Sequence, residues 1–202
     1  ELLSEILGQF IGVGVLAIII VFQQEIRKFL LMIGTTSFQN QQDFFKSIIK
    51  PKKKISINIK DIVLACISMS KTKTGALIII TRTTELGSFE KTGEKINAPV
   101  SKGLIESIFF KNSPLHDGAL IISKNIILAA RCILPVSDQV KLPAYMGLRH
   151  RAAASLTEMT DALAIIVSEE TGKISYFKQG RLKENIDSQA IENFLERDMK
   201  NA

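Results

Sequence analysis

A chain of 202 residues that is 46% hydrophobic, 23% charged and 6% aromatic is long enough for one substantial core and too apolar for intrinsic disorder. A small disulfide scaffold is excluded, and the two cysteines, Cys66 and Cys132, far apart in apolar surroundings, make a reducing compartment with no cysteine-based metal site the economical reading. The 26 basic and 20 acidic residues leave a net charge of +6, which suits nucleic acid, anionic lipid or a polyphosphate ligand alike.

The most apolar stretch comes first, from Ile6 to Phe22, and as a helix it would be about 25 Å long, the lower limit for a bilayer span. Glu1 and Glu5 precede it and Phe22-Gln23-Gln24-Glu25 follows, which does not suit a cleaved signal peptide. A membrane helix is the expectation, with a buried helix of a soluble domain as the alternative. Arg27, Lys28 and the later lysines place the bulk of the chain on the cytoplasmic side. The start at Glu rather than Met suggests a fragment that lacks earlier segments, further membrane helices among them.

Ile26, Phe29, Leu30 and Ile33 continue at helical spacing to Gly34, so the anchor and a juxtamembrane helix occupy residues 1–34. A basic connector, 35–54, carries a short helix around Asp43 to Ile49, then Lys50, Pro51, Lys52, Lys53 and Lys54. These lysines beside an apolar segment favour a membrane surface. Without interleaved aromatics they do not suit specific single-strand nucleic-acid binding, and no nucleic-acid partner is expected.

From 55 to 202 the pattern is that of a folded domain. Asn58 caps a helix with apolar positions Ile59, Ile62, Val63, Cys66 and Ile67, which should end around Lys71 to Gly75. Ala76 to Ile80 is a strand buried on both faces. After a polar loop, Ser101 caps a helix through Phe110, and Ala119 to Ser123 with Ile126 to Arg131 form a hairpin about Lys124-Asn125. A helix over Arg149 to Thr160 follows. Strands Ala162 to Ser168 and Ile174 to Phe177 flank the turn Glu169 to Lys173, and a last helix runs from about Ser188 to Met199. The fold class is α/β (α+β): a mixed central β-sheet flanked by helices, preceded by an N-terminal membrane helix.

Two segments stand apart from this packing pattern and hold both histidines: Pro114-Leu115-His116-Asp117-Gly118-Ala119 and Gly147-Leu148-Arg149-His150-Arg151-Ala152-Ala153. Asp117 sits at a loop-to-strand junction, where it can face an open site or act as a turn aspartate bonded to its own backbone. Arg149, His150 and Arg151 sit at a predicted helix start, where cations oppose the helix dipole unless an anion neutralises them. Arginine suits bidentate phosphate contacts, and the plain alternative is a solvated basic face. An acid with a basic phosphate clamp is the minimum equipment for metal-assisted phosphoryl or nucleotidyl transfer. Glu169-Glu170 is either a metal-binding pair or a solvated acidic turn. No Walker loop, dinucleotide fingerprint, paired-histidine zinc spacing or serine elbow is present.

Together the two motifs resemble the Asp-Gly-Ala and Arg-His-Arg signatures of the diadenylate cyclase (DAC) domain, which makes cyclic di-AMP from two ATP. The resemblance extends over roughly Gly75 to Gly180 and includes Gly75-Ala76-Leu77-Ile78-Ile79, Cys132-Ile133-Leu134-Pro135 and Val167-Ser168-Glu169-Glu170-Thr171-Gly172. Val21-Phe22-Gln23-Gln24-Glu25-Ile26-Arg27 is similar to the segment after the last membrane helix of the membrane-bound CdaA type. The resemblance implies a catalytic domain at 55–202 in a bacterial cell membrane protein, facing the cytoplasm, with a site completed between two copies that each present one ATP.

It also implies roles. Asp117 would activate the attacking hydroxyl directly or through Mg²⁺ or Mn²⁺, with Gly118 and Ala119 beside the nucleotide. Arg149, His150 and Arg151 would hold the phosphates, and Leu134 would pack on adenine. Gly75, Ala76, Leu148, Ser168 and Glu169 belong to the expected ATP-binding set, and His116 and Glu170 join Asp117 as expected metal ligands. Membrane-type relatives can work with a membrane-attached regulator and a sugar-phosphate mutase. Two positions depart from the family: Leu148 stands where many members have Thr, and Ile133 where an aromatic is often found. Loss of one hydrogen bond to a charged group is worth about 1.5–3 kcal/mol, so a sensor or scaffold with weak or no turnover is the second reading. A basic membrane-associated interaction module is the third.

Overall fold

The computed structural model describes residues 57–137, 142–143 and 145–200, with Gly14, residues 20–23 and Ile26 besides. The chain divides into two compact units, Glu1–Lys53 and Lys54–Ala202. The expected membrane helix, juxtamembrane helix and connector lie outside the described residues, apart from the few named. Among the described residues, no helix is long and apolar enough to cross a membrane.

In the second unit, α1 spans Ile59–Lys71. Asn58 caps it as its side chain accepts from the Asp61 N–H at 3.3 Å and donates to the Asp61 carboxylate at 2.8 Å. The Asn58 N–H reaches across to Asn125 Oδ1 at 2.8 Å and so ties this cap to the β-hairpin turn. Strand β1, Ala76–Ile80, is buried at every residue, as its continuous apolar run requires. The segment after it is more than a polar loop. It holds a four-residue helix, α2 (Gly87–Glu90), and an edge strand, β2 (Glu94–Pro99). Helix α3, Lys102–Phe109, is capped by Ser101, whose Oγ accepts from the Leu104 N–H.

Strands β3 (Ala119–Ser123) and β4 (Ile126–Cys132) form the expected hairpin, and both turn residues, Lys124 and Asn125, adopt positive φ as a tight hairpin demands. Helix α4 covers Leu148–Met159 and β5 covers Leu163–Val167. The chain then forms β6 (Ile174–Lys178), a short β7 (Arg181–Lys183) that the sequence did not announce, and α5 (Ser188–Lys200). The seven strands make one mixed sheet in the order β2-β4-β3-β1-β5-β6-β7. Only β1 and β3 run parallel.

The pleat divides the core in two. Ile78, Ile80, Leu120, Ile122 and Ile165 pack beneath α1, α3 and α5, through Ile62, Cys66, Ile105, Ile108, Ile191 and Leu195. Leu77, Ile79, Ile121, Ala164, Ile166 and Phe177 face the opposite way, onto Ala152, Ala153, Ala154 and Leu156 of α4. The alanines let α4 lie close to the sheet. Helix α5 is fastened by a buried carboxylate. Asp198, 1% exposed, accepts from the Tyr176 hydroxyl (2.8 Å), Lys178 Nζ (3.0 Å) and two Arg197 nitrogens (2.8 Å each).

Candidate active site

The strand register gathers the sequence motifs at one end of the sheet. β1 and β3 are parallel, so the residues before them, Gly75 and Asp117-Gly118, lie side by side. β5 runs antiparallel to β1, with Ala76 opposite Val167, so Ser168, Glu169 and Glu170 emerge at the same end. Ala119 pairs with Cys132 of β4, which brings Ile133 and Leu134 there as well.

A cavity of about 560 Å³ opens at this end on the α4 face, within the range of roughly 300–1,000 Å³ usual for small-molecule sites. Its apolar wall is built from Leu77, Cys132, Leu134 and Ile166, and its polar side from Asp117, Arg149, His150, Ser168, Glu169 and Glu170. A second, more polar recess of about 310 Å³ lies beyond Asp117 and is lined by Thr92, Gly93, Glu94 and Arg131, with Asp117 and Ile133 common to both.

Two glycines make the geometry possible. Gly118 has φ +145°, and a Cβ there would lie 2.6 Å from the carbonyl carbon of Arg131, so only glycine lets the chain carrying Asp117 press against β4. At Gly75, a Cβ would lie 2.6 Å from Arg149 Nη1 and 2.8 Å from Glu169 Oε2. The absent side chain leaves room for the Arg149–Glu169 ion pair, which closes at 2.8 Å.

Helix α4 follows Gly147, an N-cap with no side-chain cap bond, and its first residues, Leu148, Arg149 and His150, line the cavity. The unfavourable placement of Arg149 near the positive end of the helix is relieved by Glu169. His150 is half-buried, with its ring edge-on to Phe177 at 6.3 Å. Burial lowers its pKa, with Glu184 opposing, so at neutral pH it offers a neutral imidazole rather than a cation. Cys132, in the apolar wall, is pushed up to about 11 by burial and by the charge of Glu90, and is inert as a nucleophile.

Of the residues singled out from sequence, Asp117, Gly118, Ala119, Leu134, Leu148, Arg149, His150, Ser168, Glu169 and Glu170 all line the cavity. Gly75 lies beneath the ion pair, and Ala76 is wholly buried in β1. Arg151 and His116 are not among the lining residues. His116 Nδ1 sits 2.6 Å from the carbonyl of Ser113, which serves the turn before Asp117. Among the described residues, no three of His, Cys, Asp and Glu are grouped so as to hold a metal by themselves. Sequence reasoning missed Tyr145 and Val136 at the rim. The only signal for Tyr145 was an aromatic residue in an otherwise irregular segment before α4.

A mixed sheet that brings a carboxylate, an arginine and an uncapped helix terminus to one apolar-walled cavity makes a site whose chemistry suits a ligand with both an anionic and an apolar part. The family model described as "DisA bacterial checkpoint controller nucleotide-binding" (DAC) matches residues 63–182. The chain is 41% identical over 198 residues to the cyclic di-AMP synthase CdaA of Bacillus subtilis, covering 98% of this chain and 71% of that one. It is 38% identical over 190 residues to a diadenylate cyclase of Listeria monocytogenes, covering 94% and 68%. Among solved structures, DacA from Staphylococcus aureus superposes with TM-score 0.68 at 39% identity, covering 70% of this chain and 94% of that one. A hypothetical membrane spanning protein from Bacillus cereus superposes with TM-score 0.62 at 33% identity, covering 83% and 79%. The chain belongs to the diadenylate cyclase family and is a nucleotide-binding enzyme.

Proposed function

We propose that this chain condenses two ATP into cyclic di-AMP with release of two pyrophosphates, in a metal-dependent reaction between two copies set face to face. The observation that carries this reading is the cavity itself, where Asp117 and Arg149 share one apolar-walled space large enough for a nucleotide. The 3′-hydroxyl oxygen of one ATP attacks the α-phosphorus of the other, the bond from that phosphorus to the bridging oxygen of pyrophosphate breaks, and pyrophosphate leaves. The equivalent attack in the other direction closes the ring.

Asp117, exposed at the junction of the two recesses, accepts or directs the hydroxyl proton. Arg149 and the free amides of α4 meet the negative charge that grows on the phosphate oxygens, and His150 adds a neutral ring N–H. Leu134 and Leu77 receive the adenine. Asp117 and Glu170 are the carboxylates that would hold Mg²⁺ or Mn²⁺. Two carboxylates with nucleotide phosphates completing the shell is the ordinary coordination of such ions. The cation would neutralise phosphate charge and acidify the hydroxyl.

A second copy is required because one chain presents one such cavity among its described residues. The rim is also apolar and open: Ile133, Tyr145 and Leu148 are each more than 70% exposed. We place the anchor in residues 1–34, the connector in 35–54 and the catalytic domain in 55–202, with the bacterial membrane as the site of action. The B. cereus neighbour's description as membrane spanning supports this.

Leu148, apolar at the cavity mouth, favours a second reading as a nucleotide sensor with little turnover. Incubation of the purified chain with ATP and Mn²⁺ or Mg²⁺ at several protein concentrations distinguishes the two. Cyclic di-AMP rising more than linearly with protein supports the cyclase pair. Bound ATP without product supports the sensor.

A further inference from the structure

The nucleotide cavity has a deep apolar wall but only one phenyl-type ring. Leu77, Cys132, Leu134 and Ile166 are buried behind it, and a purine laid on that wall keeps its outer face open to water. Four rim side chains are exposed enough to cover that face: Ile133, Val136, Tyr145 and Leu148. Of these, Tyr145 alone offers a flat π surface, the partner on which nucleobases stack whatever their identity.

A ring that is 72% exposed would ordinarily turn freely. This one is tethered, because its hydroxyl lies 3.0 Å from each oxygen of the Glu184 carboxylate and donates to it. Glu184 follows β7, on a different part of the chain from the segment that leads into α4. Its charge is also felt by His150 at the start of that helix. One carboxylate therefore serves both the rim ring and the phosphate end of the cavity.

Resting on the cavity being the ATP site, we infer that Tyr145 stacks on the outer face of the adenine and sets its affinity, and that Glu184 is the positioning residue that holds the ring there. Tyr145 touches the base and not the reacting atoms, so its contribution belongs to substrate binding. It appears in KM and leaves kcat nearly unchanged.

The test uses the full chain with 2-aminopurine riboside triphosphate, whose fluorescence falls when its base stacks on an aromatic ring, beside ATP turnover. The parent protein quenches the probe. Tyr145→Ala abolishes the quenching and raises the ATP KM about five- to a hundredfold, with kcat within about threefold. Tyr145→Phe keeps the ring without its tether and falls between the two. Glu184→Ala behaves like a weakened Tyr145→Ala, and Glu184→Gln, which retains an acceptor oxygen, recovers most of the effect.

The inference is overturned if Tyr145→Ala quenches and binds like the parent, if its loss lies in kcat with KM unchanged, or if Glu184→Ala leaves the quenching intact. Both residues are at the surface, so melting temperatures should stay level, and Tyr145→Leu separates loss of the ring from loss of bulk. A parent that quenches the probe but makes no cyclic di-AMP sinks the cyclase reading and leaves the stacking role standing. A productive parent with an unaffected Tyr145→Ala sinks the stacking role alone.

Discussion

Gly75→Ala isolates the position of Arg149 from the stability of the fold. Gly75 is buried and does not use left-handed backbone, so alanine fits its conformation and narrows the unfolded ensemble, worth about 0.4–1 kcal/mol in favour of folding. Against this, the new Cβ would stand 2.6 Å from Arg149 Nη1 and 2.8 Å from Glu169 Oε2. Both atoms are ends of flexible side chains, while the third neighbour, Glu169 Cβ at 3.0 Å, has to give by a few tenths of an ångström. To regain an ordinary contact of 3.4 Å, the guanidinium has to retreat by roughly 0.8 Å, and the ion pair opens. That pair is 24% and 63% exposed on its two sides and contributes only about 0.2–1 kcal/mol, so the two stability changes nearly cancel. Catalysis has no such compensation. A displacement of about 1 Å in a group that holds the reacting phosphate costs up to about a hundredfold. The expected variant melts within a few degrees of the parent and makes cyclic di-AMP about ten- to a hundredfold more slowly, measured by initial rates beside a thermal melt. A rate within twofold of the parent would refute the role given to Arg149. A large fall in melting temperature would show that the methyl meets backbone rather than movable side-chain ends.

Asp117→Asn removes a charge but little volume from an exposed site, so turnover should fall by roughly 10²–10⁴ while the melting temperature holds; parallel loss of both would make Asp117 structural. Leu148→Thr restores a hydroxyl at the start of α4, and the rate should stay equal or rise; a large fall in product formation would mean that the leucine is itself a substrate contact. Acid stability depends on two carboxylates held well below the usual range. Asp198 is held there by Arg197, with burial opposing and Lys178 and Tyr176 assisting, and Asp161 by hydrogen bonds from Thr83 and Thr84 that outweigh its burial. A depressed folded pKa contributes stability that is fully present above the unfolded value, about 4, and is lost as pH falls toward the folded one. Denaturant midpoints should therefore be flat from pH 7 to about 5 and drop below 4, and Asp198→Asn should lower the plateau and flatten the acid limb. An unchanged acid limb would show that Asp198 is not the group being protonated.

The elements that packing dictates locally were legible. Asn58 and Ser101 announce their helices as caps, the run Ala76–Ile80 announces a strand covered on both faces, and Lys124-Asn125 announces a hairpin turn. The elements that escaped lack such signals. β2 is an edge strand, mostly exposed, with Asn97 at positive φ and a shift of register, so neither alternation nor an apolar run marks it. β7 is three residues long and exists because it pairs with β6.

The same division runs through the site. The sequence by itself singled out the candidate residues, because Asp117-Gly118-Ala119 and Arg149-His150-Arg151 interrupt the packing pattern where a core would not tolerate them. Only the tertiary structure decided which of them converge. The parallel pairing of β1 with β3 and the antiparallel pairing with β5 bring Gly75, Asp117 and Glu169 to one end of the sheet. There Glu169 meets Arg149, while His116 turns to a backbone carbonyl and Arg151 stays off the lining. Tyr145 finds Glu184 across the same end. The physical reason is that side-chain periodicity reports the face a residue presents within its own element. Strand order and register are fixed by pairings between distant segments, and no local pattern encodes those.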